Sequence, residues 1–221
     1  LTKKQVIQMV PGVKQEKLSG GVLYYDAQMD DSRVCLENIL CADQKGAHII
    51  NYAEVISLIK ESGKTVGVRV RDMMGVHALA IRAKRIVSTV GPWTNTLLDM
   101  DDKKNLPLVR TTKGIHIVYR GQISDRALLL TAENERRIFF VIPWKGNSLI
   151  GTTDTDFKDS PDRVEADDTD VEYLFKEARR FFPAMDFRRE NIITTFAGLR
   201  PLVSQPGSPS KVSRKHVIHE T

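Results

Sequence analysis

The chain has 221 residues, of which 41% are hydrophobic and 28% charged, a composition typical of a globular protein with a substantial hydrophobic core. Lys and Arg (33) outnumber Asp and Glu (28), and this surplus of +5 suits an anionic substrate, an anionic membrane surface or a merely solvated surface. The basic residues are scattered without zinc-finger spacing or the aromatic-basic pattern of an RNA-binding sheet, so we expect no nucleic-acid partner.

The first third of the chain predicts an α/β arrangement. Residues 22–27 form a predicted strand, Asp31 or Ser32 caps a predicted helix that ends at Gly46, and residues 47–55 return as a strand. Cys35 and Cys41 face different directions on that helix, so we interpret them as reduced core residues of a cytosolic chain. Two antiparallel strands (residues 65–71 and 76–83) and a buried strand (residues 86–90) follow.

The middle of the chain predicts an antiparallel layer. Strands at residues 115–119, 127–130, 138–142 and 148–152 follow one another and favour a meander. A helix at residues 171–182 carries one apolar stripe, with Thr169 and Glu172 as its capping box and Pro183 as its stop. We expect this helix to cover the sheet. A strand at residues 192–196 and a mobile Ser/Pro/Lys-rich tail at residues 204–215 complete the pattern.

Four segments carry residues suited to chemistry, and each also has a purely structural interpretation. Gly91 ends a predicted buried strand, where bare backbone can approach a flat ligand or simply form a turn. His116 follows nearby cations and is either a titratable group beside an anion pocket or a structural histidine. Asp154 and Asp156 lack the glycine and glutamate of a calcium loop, so we predict no metal site. Arg200, before a proline, is either an anion clamp or a solvated side chain.

Taken together and in order, these segments resemble the FAD-dependent glycerol-3-phosphate dehydrogenases, the respiratory quinone-linked enzymes and their mitochondrial relatives. The resemblance rests on STVGPW, KGIHIV, RRIFFVIPW, GTTDTD and GLRPLV, supported by YYDAQMDDSR, HIINYAEV and SRKHVI. It covers essentially all of the chain from Leu23 to Ile218. GTTDTD and FVIPW are its most specific parts, whereas G-x-R-P is shared with many amino-acid and amine oxidases.

The resemblance implies a role for each candidate site residue. His116 matches the family's active-site histidine, and a neutral imidazole suits a proton acceptor near pH 7. Arg137 and Arg200 match substrate-binding arginines, and two guanidiniums suit a phosphate dianion. The three are therefore the catalytic candidates. The further candidates are Lys113 and Thr153 for substrate, and Ser88, Gly91, Trp93, Arg200 and Pro201 for the flavin.

The resemblance also implies the fold and the activity. The expected fold combines parts of an FAD-binding α/β layer (residues 26–106 and 197–221) with an antiparallel substrate or cap domain (residues 1–25 and 107–196). The expected reaction converts sn-glycerol 3-phosphate to dihydroxyacetone phosphate, with quinone as acceptor, in a cytoplasmic enzyme peripheral to the inner face of the membrane. Oxygen-using glycerol-3-phosphate oxidases and amino-acid or amine oxidases are alternatives, and oligomerisation is left open.

Two family segments are not found in this sequence. The GxGxxG turn between a strand and a helix, where the FAD pyrophosphate binds, does not occur, and neither does a Gly-Gly-Lys-Trp-Thr-like flavin segment after His216-Val217-Ile218. We therefore expect the chain to be a central fragment of a longer enzyme, inactive by itself and without bound FAD.

Overall fold

The structure is a computed structural model that describes residues 1–101, 107–133, 137–205, 212 and 215–220. Its helices are α1 (Lys3–Met9), α2 (Asp31–Gln44), α3 (Thr94–Asp99) and α4 (Asp168–Phe181). Its strands are β1 (Ala53–Glu61), β2 (Lys64–Asp72), β3 (Ala78–Arg82), β4 (Val109–Tyr119), β5 (Leu128–Thr131), β6 (Ile138–Trp144), β7 (Asn147–Gly151), β8 (Thr155–Asp156) and β9 (Ile192–Val203).

The chain divides into two compact units, each assembled from separate stretches. The first unit comprises Leu1–Leu23, Val90–Asn95 and Leu106–Thr221, and the second comprises Tyr24–Thr89 and Thr96–Asn105. The boundaries predicted above for the cofactor and substrate parts stay a prediction.

The first unit is built on an antiparallel sheet with β4 at its centre. β5, β6, β7 and β4 lie side by side in that order, β8 pairs with the other half of the β4 edge, and β9 runs along the opposite edge of β4. The predicted simple meander is therefore wrong for its first strand, because β4 pairs with β7 and not with β5. A central β4 satisfies its backbone groups on both sides.

Helix α4 covers one face of this sheet, as predicted. Leu174, Phe175 and Ala178 have no exposed surface, and they pack with Ile115 and Ile117 of β4, which are equally buried. The cap differs from the prediction: Asp167 is the N-cap and Asp170 closes the capping box, two residues before Thr169 and Glu172. A carboxylate serves as well as a hydroxyl at an N-cap, so the sequence is compatible with a helix that starts after Asp167 and with one that starts after Thr169.

The second unit contains a three-stranded antiparallel sheet with the order β1-β2-β3. The predicted pair at residues 65–71 and 76–83 is confirmed as β2 and β3. The strand predicted at residues 47–55 instead begins at Ala53 and runs to Glu61, where Ser62 and Gly63, both with positive φ, turn the chain into β2. A Ser-Gly pair between β-rich segments signals such a hairpin, and the prediction missed it.

Two other predicted strands are wrong. Residues 22–27 and 86–90 have no strand conformation and are mostly exposed. A strand forms only where a neighbour accepts and donates its backbone hydrogen bonds, and no described strand lies alongside either segment. High β-propensity alone does not supply that neighbour.

Helix α2 confirms the predicted helix, but the predicted burial of its cysteines is wrong. Asp30 caps α2, and Cys35 and Cys41 are free thiols on exposed positions. The predicted mobile tail at residues 204–215 falls mostly outside the described residues. Within the described part of the chain, every helix is too short or too polar to cross a bilayer.

Candidate functional site

The face of the six-stranded sheet opposite α4 is called the open face. Four directly paired residues cross it in one row: Phe140 of β6, Gly151 of β7, His116 of β4 and Phe196 of β9. Paired residues of neighbouring strands point to the same side of a sheet, so these four share the open face. Half of the Phe196 surface is exposed, which shows that α4 does not cover this side.

His116 lies in the middle of this row and is held by an aromatic neighbour. Its imidazole stacks on the ring of Phe196 with 5.0 Å between ring centroids and 16° between ring planes. His116 is half-buried, so its ring remains reachable from the open face. The β-branched and aromatic residues of KGIHIV build the strand, and its alternation sends Ile115 and Ile117 to the core and His116 to the other side.

Arg200 lies on the same face with its backbone four residues along β4 from His116, and its guanidinium reaches back to Gly114, two residues from His116. It pairs with Thr112 across β4 and β9, and its guanidinium donates hydrogen bonds to Thr152 Oγ1 (2.9 Å), the Thr153 carbonyl (3.2 Å) and Asp154 Oδ1 (3.4 Å). The prediction placed Arg200 after a strand end. That position is wrong, because β9 continues through Arg200 to Val203.

β9 contains a proline, Pro201, directly after Arg200, and its place at the edge of the sheet explains why the strand tolerates it. β9 bonds only β4 among the described strands, so it is an edge strand of this sheet. A proline, which lacks an N–H, is tolerated on an edge strand where its nitrogen faces outward. β9 therefore continues through Pro201 to Val203, beyond the end predicted at residue 196.

A second arginine-aspartate pair lies at the same end of the sheet. Arg110 donates two hydrogen bonds to Asp156, from Nε (2.6 Å) and from one terminal nitrogen (2.5 Å). These bonds hold the pKa of Asp156 below its usual value; burial opposes them, and nearby charges, Arg137 among them, act in the same direction as Arg110. Arg137, immediately before β6, is thus within electrostatic reach of Asp156 in β8.

Lys113 and Thr153 do not present their side-chain polar atoms to the open face. Lys113 alternates to the α4 side and forms ion pairs with Asp167 (2.7 Å) and Asp170 (2.6 Å) at the start of that helix. Thr153 is buried, and its Oγ1 accepts a hydrogen bond from the Ile115 N–H (3.0 Å). The structure therefore directs the Lys113 ammonium away from His116 and Arg200, whereas the backbone carbonyl of Thr153 holds the Arg200 guanidinium. The substrate role of both residues stays a prediction.

The residues predicted to line the flavin are partly brought together. Gly91 has a φ of +55°, and a Cβ added there would stand 3.8 Å from Pro201 Cγ, so this turn lies beside β9 next to Arg200. Trp93, in the same short 3₁₀ turn (Gly91–Trp93), donates its indole N–H to Asp162 (3.0 Å). Ser88 belongs to the second unit, in an exposed segment outside its strands.

Sequence reasoning missed two residues of this site, Thr152 and Phe196. Thr152 is one of the three groups that hold Arg200, and Phe196 is the stacking partner of His116. Alternation along the strand could have indicated Phe196, because Phe196, Gly198 and Arg200 recur every second residue on one face. Asp154 and Asp156, considered above as cation ligands, bind arginines, and the described residues contain no cluster suited to a metal ion.

Comparison with known proteins finds similar sequences over nearly the whole chain. A family model described as FAD dependent oxidoreductase matches residues 1–221. The chain is 34% identical over 220 residues to the aerobic glycerol-3-phosphate dehydrogenase of Bacillus subtilis and 33% identical over 229 residues to the mitochondrial glycerol-3-phosphate dehydrogenase of Rattus norvegicus. It covers 40% and 31% of those proteins, while 99% of the chain is matched in each case.

A solved structure extends the similarity to three dimensions. The glycerol-3-phosphate dehydrogenase from Bacillus halodurans complexed with FAD matches 92% of this chain and 42% of its own length, with a TM-score of 0.88 at 32% identity. The resemblance inferred from the motifs is confirmed, and so is a mixed fold of helices and antiparallel sheets. Since the family model spans every residue, this chain belongs to the FAD-dependent oxidoreductase family.

Proposed function

We propose that the protein containing these residues oxidises sn-glycerol 3-phosphate to dihydroxyacetone phosphate. The observation that carries the proposal is the placement of His116 and the clamped guanidinium of Arg200 on one open sheet face. The guanidinium reaches the level of Gly114, two residues from His116 along β4, which corresponds to about 7 Å. A three-carbon phosphate ester can span that separation. The relatives named above as glycerol-3-phosphate dehydrogenases support the same substrate.

FAD is the cofactor of the family, and the residues present fit part of its site. The Gly91 turn offers backbone without a side chain beside Pro201, and Phe196 offers an exposed aromatic surface next to the candidate base. We propose that Gly91, Trp93, Pro201 and Ser88 hold the flavin, with Arg200 at its edge. When bound, FAD accepts the hydride that leaves C2 of the substrate.

The protein's own residues then have two tasks. His116 accepts the proton of the C2 hydroxyl as the hydride leaves, so that the alcohol becomes a ketone without a charged alkoxide. Arg200 binds the phosphate through charge-assisted hydrogen bonds, and Arg137, whose charge acts on Asp156 of β8, adds a second positive charge. Thr152, Thr153 and Asp154 keep the Arg200 guanidinium fixed on one side while its remaining surface faces the substrate.

Separate kinetic effects test these two roles. In the complete enzyme, Arg200→Ala should raise KM for glycerol 3-phosphate about ten- to a hundredfold with little loss of FAD, because charge-assisted contacts contribute about 1.5–3 kcal/mol. His116→Ala should mainly lower kcat, because it removes proton acceptance and leaves phosphate binding. An Arg200→Ala enzyme with unchanged KM, or one that loses its flavin, would contradict the phosphate role.

We also propose quinone as the electron acceptor and a cytoplasmic location peripheral to the inner face of the membrane. The surplus of basic residues supports attraction to anionic lipid, which weakens as salt screens it. Low-salt membrane fractions should therefore retain the complete enzyme, and high salt should release it. An enzyme that stays in solution at low salt and reduces O2 as fast as a soluble quinone would support the oxidase alternative.

A further inference from the structure

Two glycines of the site lie under the two side chains that the proposed function uses. A Cβ built on Gly151 would stand 2.3 Å from His116 Cδ2 and 2.8–2.9 Å from two further atoms of the ring. A Cβ built on Gly114 would stand 2.2–2.6 Å from the guanidinium atoms of Arg200. Real Cβ atoms do not come this close to other heavy atoms. The imidazole and the guanidinium therefore lie flat on bare backbone.

We propose that Gly151 and Gly114 are positioning residues: Gly151 sets the position of the His116 ring and Gly114 sets that of the Arg200 guanidinium. The proposal rests on the function proposed above and extends it to two residues that make no contact with substrate. The distance between the His116 ring and the Arg200 guanidinium thus depends on the lack of a Cβ at both glycines.

A positive φ does not account for these glycines. Gly114 lies within β4 and Gly151 is the last residue of β7, and neither has the positive φ that favours glycine, unlike the turn glycines Gly63, Gly121 and Gly146. Glycine inside a strand weakens the strand because it adds chain entropy and no packing. A close approach of a neighbouring group explains its presence, and here that group is a site side chain.

The position of His116 depends on both of its neighbours in the row. The ring is confined between the bare Cα of Gly151 on β7 and the stacked ring of Phe196 on β9. A methyl group at position 151 would lift the imidazole and alter its stacking. A displacement of about 1 Å of a catalytic group can reduce turnover roughly a hundredfold.

The position of Arg200 depends on the turn after β7. Its guanidinium reaches Thr152, the Thr153 carbonyl and Asp154 only while it lies against Gly114. A methyl group at position 114 would push it off these partners. The phosphate would then meet a guanidinium that is no longer held in one place, and its binding would weaken.

Gly198 provides a matched control. It pairs directly with Gly114 across β4 and β9, shares the open face, and is not among the positive-φ glycines. A Cβ built there meets no heavy atom within 4 Å. Alanine at position 198 therefore adds the same methyl group to the same sheet face without displacing either side chain.

The first test uses the 221-residue chain and needs no turnover. NMR spectra of the histidine ring and of the arginine Nε–H groups are compared among Gly151→Ala, Gly114→Ala, Gly198→Ala and the parent, with His116→Gln and Arg200→Lys assigning the signals. We expect Gly151→Ala to shift the His116 ring signals, Gly114→Ala to shift the Arg200 signal, and Gly198→Ala to move neither. Unshifted signals in a folded Gly151→Ala or Gly114→Ala chain would overturn the positioning role.

The second test uses the complete enzyme and separates this inference from the proposed function. Gly151→Ala should lower kcat roughly a hundredfold and change its pH profile, whereas Gly114→Ala should raise KM about ten- to a hundredfold with a smaller change in kcat. Shifted signals without kinetic effects would retain the positioning and refute the roles of His116 and Arg200. Where an alanine variant fails to fold, the double variants His116→Ala/Gly151→Ala and Gly114→Ala/Arg200→Ala, which remove the side chain that the added Cβ meets, should restore folding. Double variants that also fail to fold would refute the proposed contacts.

Discussion

Two buried threonines, Thr112 in β4 and Thr153 in the connection between β7 and β8, place their hydroxyl groups in opposite situations. Thr153 is 2% exposed and its Oγ1 accepts the Ile115 N–H, whereas Thr112 is fully buried and its Oγ1 has no hydrogen-bond partner in the described part of the chain. A buried hydroxyl without a partner loses its hydrogen bonds to water on folding and recovers none. The Thr153 hydroxyl therefore stabilises the folded state, whereas the Thr112 hydroxyl destabilises it.

Replacing each threonine with valine should reveal this difference. Thr112→Val should raise the free energy of unfolding by about 1 kcal/mol, because it removes an unsatisfied hydroxyl and keeps the shape. Thr153→Val should lower it by about 1–3 kcal/mol, because the buried Ile115 N–H loses its acceptor. Urea denaturation followed by circular dichroism measures both. Equal losses in the two variants would show that the Thr112 hydroxyl has a partner after all.

At this scale the family motifs indicated candidate side chains but not the residues beside them. His116, Arg137 and Arg200 were predicted from the resemblance, and the structure brings His116 and Arg200 onto one face, while their roles stay predictions. Lys113 was predicted from proximity in sequence, but strand alternation sends it to the opposite side. Gly151 and Phe196 flank His116 through strand register, which depends on pairings between distant segments and is not readable from either segment alone.

Helix α4 is anchored to the sheet by a charge cluster at its first turn. Lys113 of β4 bonds Asp167, the N-cap, and Asp170 of the capping box. Burial would lower the pKa of the Lys113 ammonium, but its hydrogen bonds to the two aspartates outweigh burial and raise it. The Lys113 hydrogen bond is the main reason that the pKa of Asp167 lies below its usual value, and backbone donors of Asp170 and Thr169 contribute.

The lowered pKa of Asp167 predicts an acid-dependent loss of stability. A carboxylate with a depressed pKa in the folded state stabilises fully above its unfolded value of about 3.9, and this stabilisation disappears as the pH falls through the folded value. Asp167→Asn keeps an oxygen that can cap α4 but loses the charge. The parent chain should therefore lose more unfolding free energy than Asp167→Asn between pH 7 and pH 3.

Chemical denaturation at the two pH values measures this difference, with Asp159→Asn as the control. Asp159 is an exposed aspartate on the same loop, so its variant should follow the parent chain at both pH values. If Asp167→Asn and the parent chain lost the same free energy, the ion pair with Lys113 would not contribute to stability.

Elements with a strong periodic pattern were predicted well. The apolar residues of α4 lie on one face of the helix, which predicts that this face packs on the sheet. The complete burial of Leu174, Phe175 and Ala178 confirms that prediction. Strands that depend on partners were predicted less well: β1 was placed too early, β8 was missed, and residues 22–27 and 86–90 are not strands. A helix satisfies its own backbone, whereas a strand requires a neighbour that local sequence does not specify.

The whole molecule spans about 40% of the length of a relative such as the Bacillus subtilis dehydrogenase. Its second unit exposes many large apolar side chains, among them Tyr25, Val76 and Val87, each more than 80% exposed. Apolar groups exposed in such number usually face another protein surface. We infer that further segments of the complete enzyme cover them.

The 221-residue chain by itself should therefore lack flavin. Its sequence has no GxGxxG turn, where the backbone and a helix N-terminus would bind the FAD pyrophosphate, so the residues around Gly91 and Pro201 supply only part of the contacts. After incubation with FAD and gel filtration, we expect a colourless protein without dehydrogenase activity. Stoichiometric flavin absorbance in the protein peak would contradict this expectation.

The pairing of β4 with β9 has a consequence for the order in which the protein matures on the ribosome. His116 and its stacking partner Phe196 are 80 positions apart (116 to 196), and Arg200 is made later still. While β5 to β8 and α4 emerge, one edge of β4 has no strand beside it, and such an edge can pair with other nascent chains. β9, the last of the described strands in chain order, covers this edge of β4 and brings Phe196 and Arg200 to the candidate site, so a chain interrupted before Ile192 should lack both residues and be prone to aggregate.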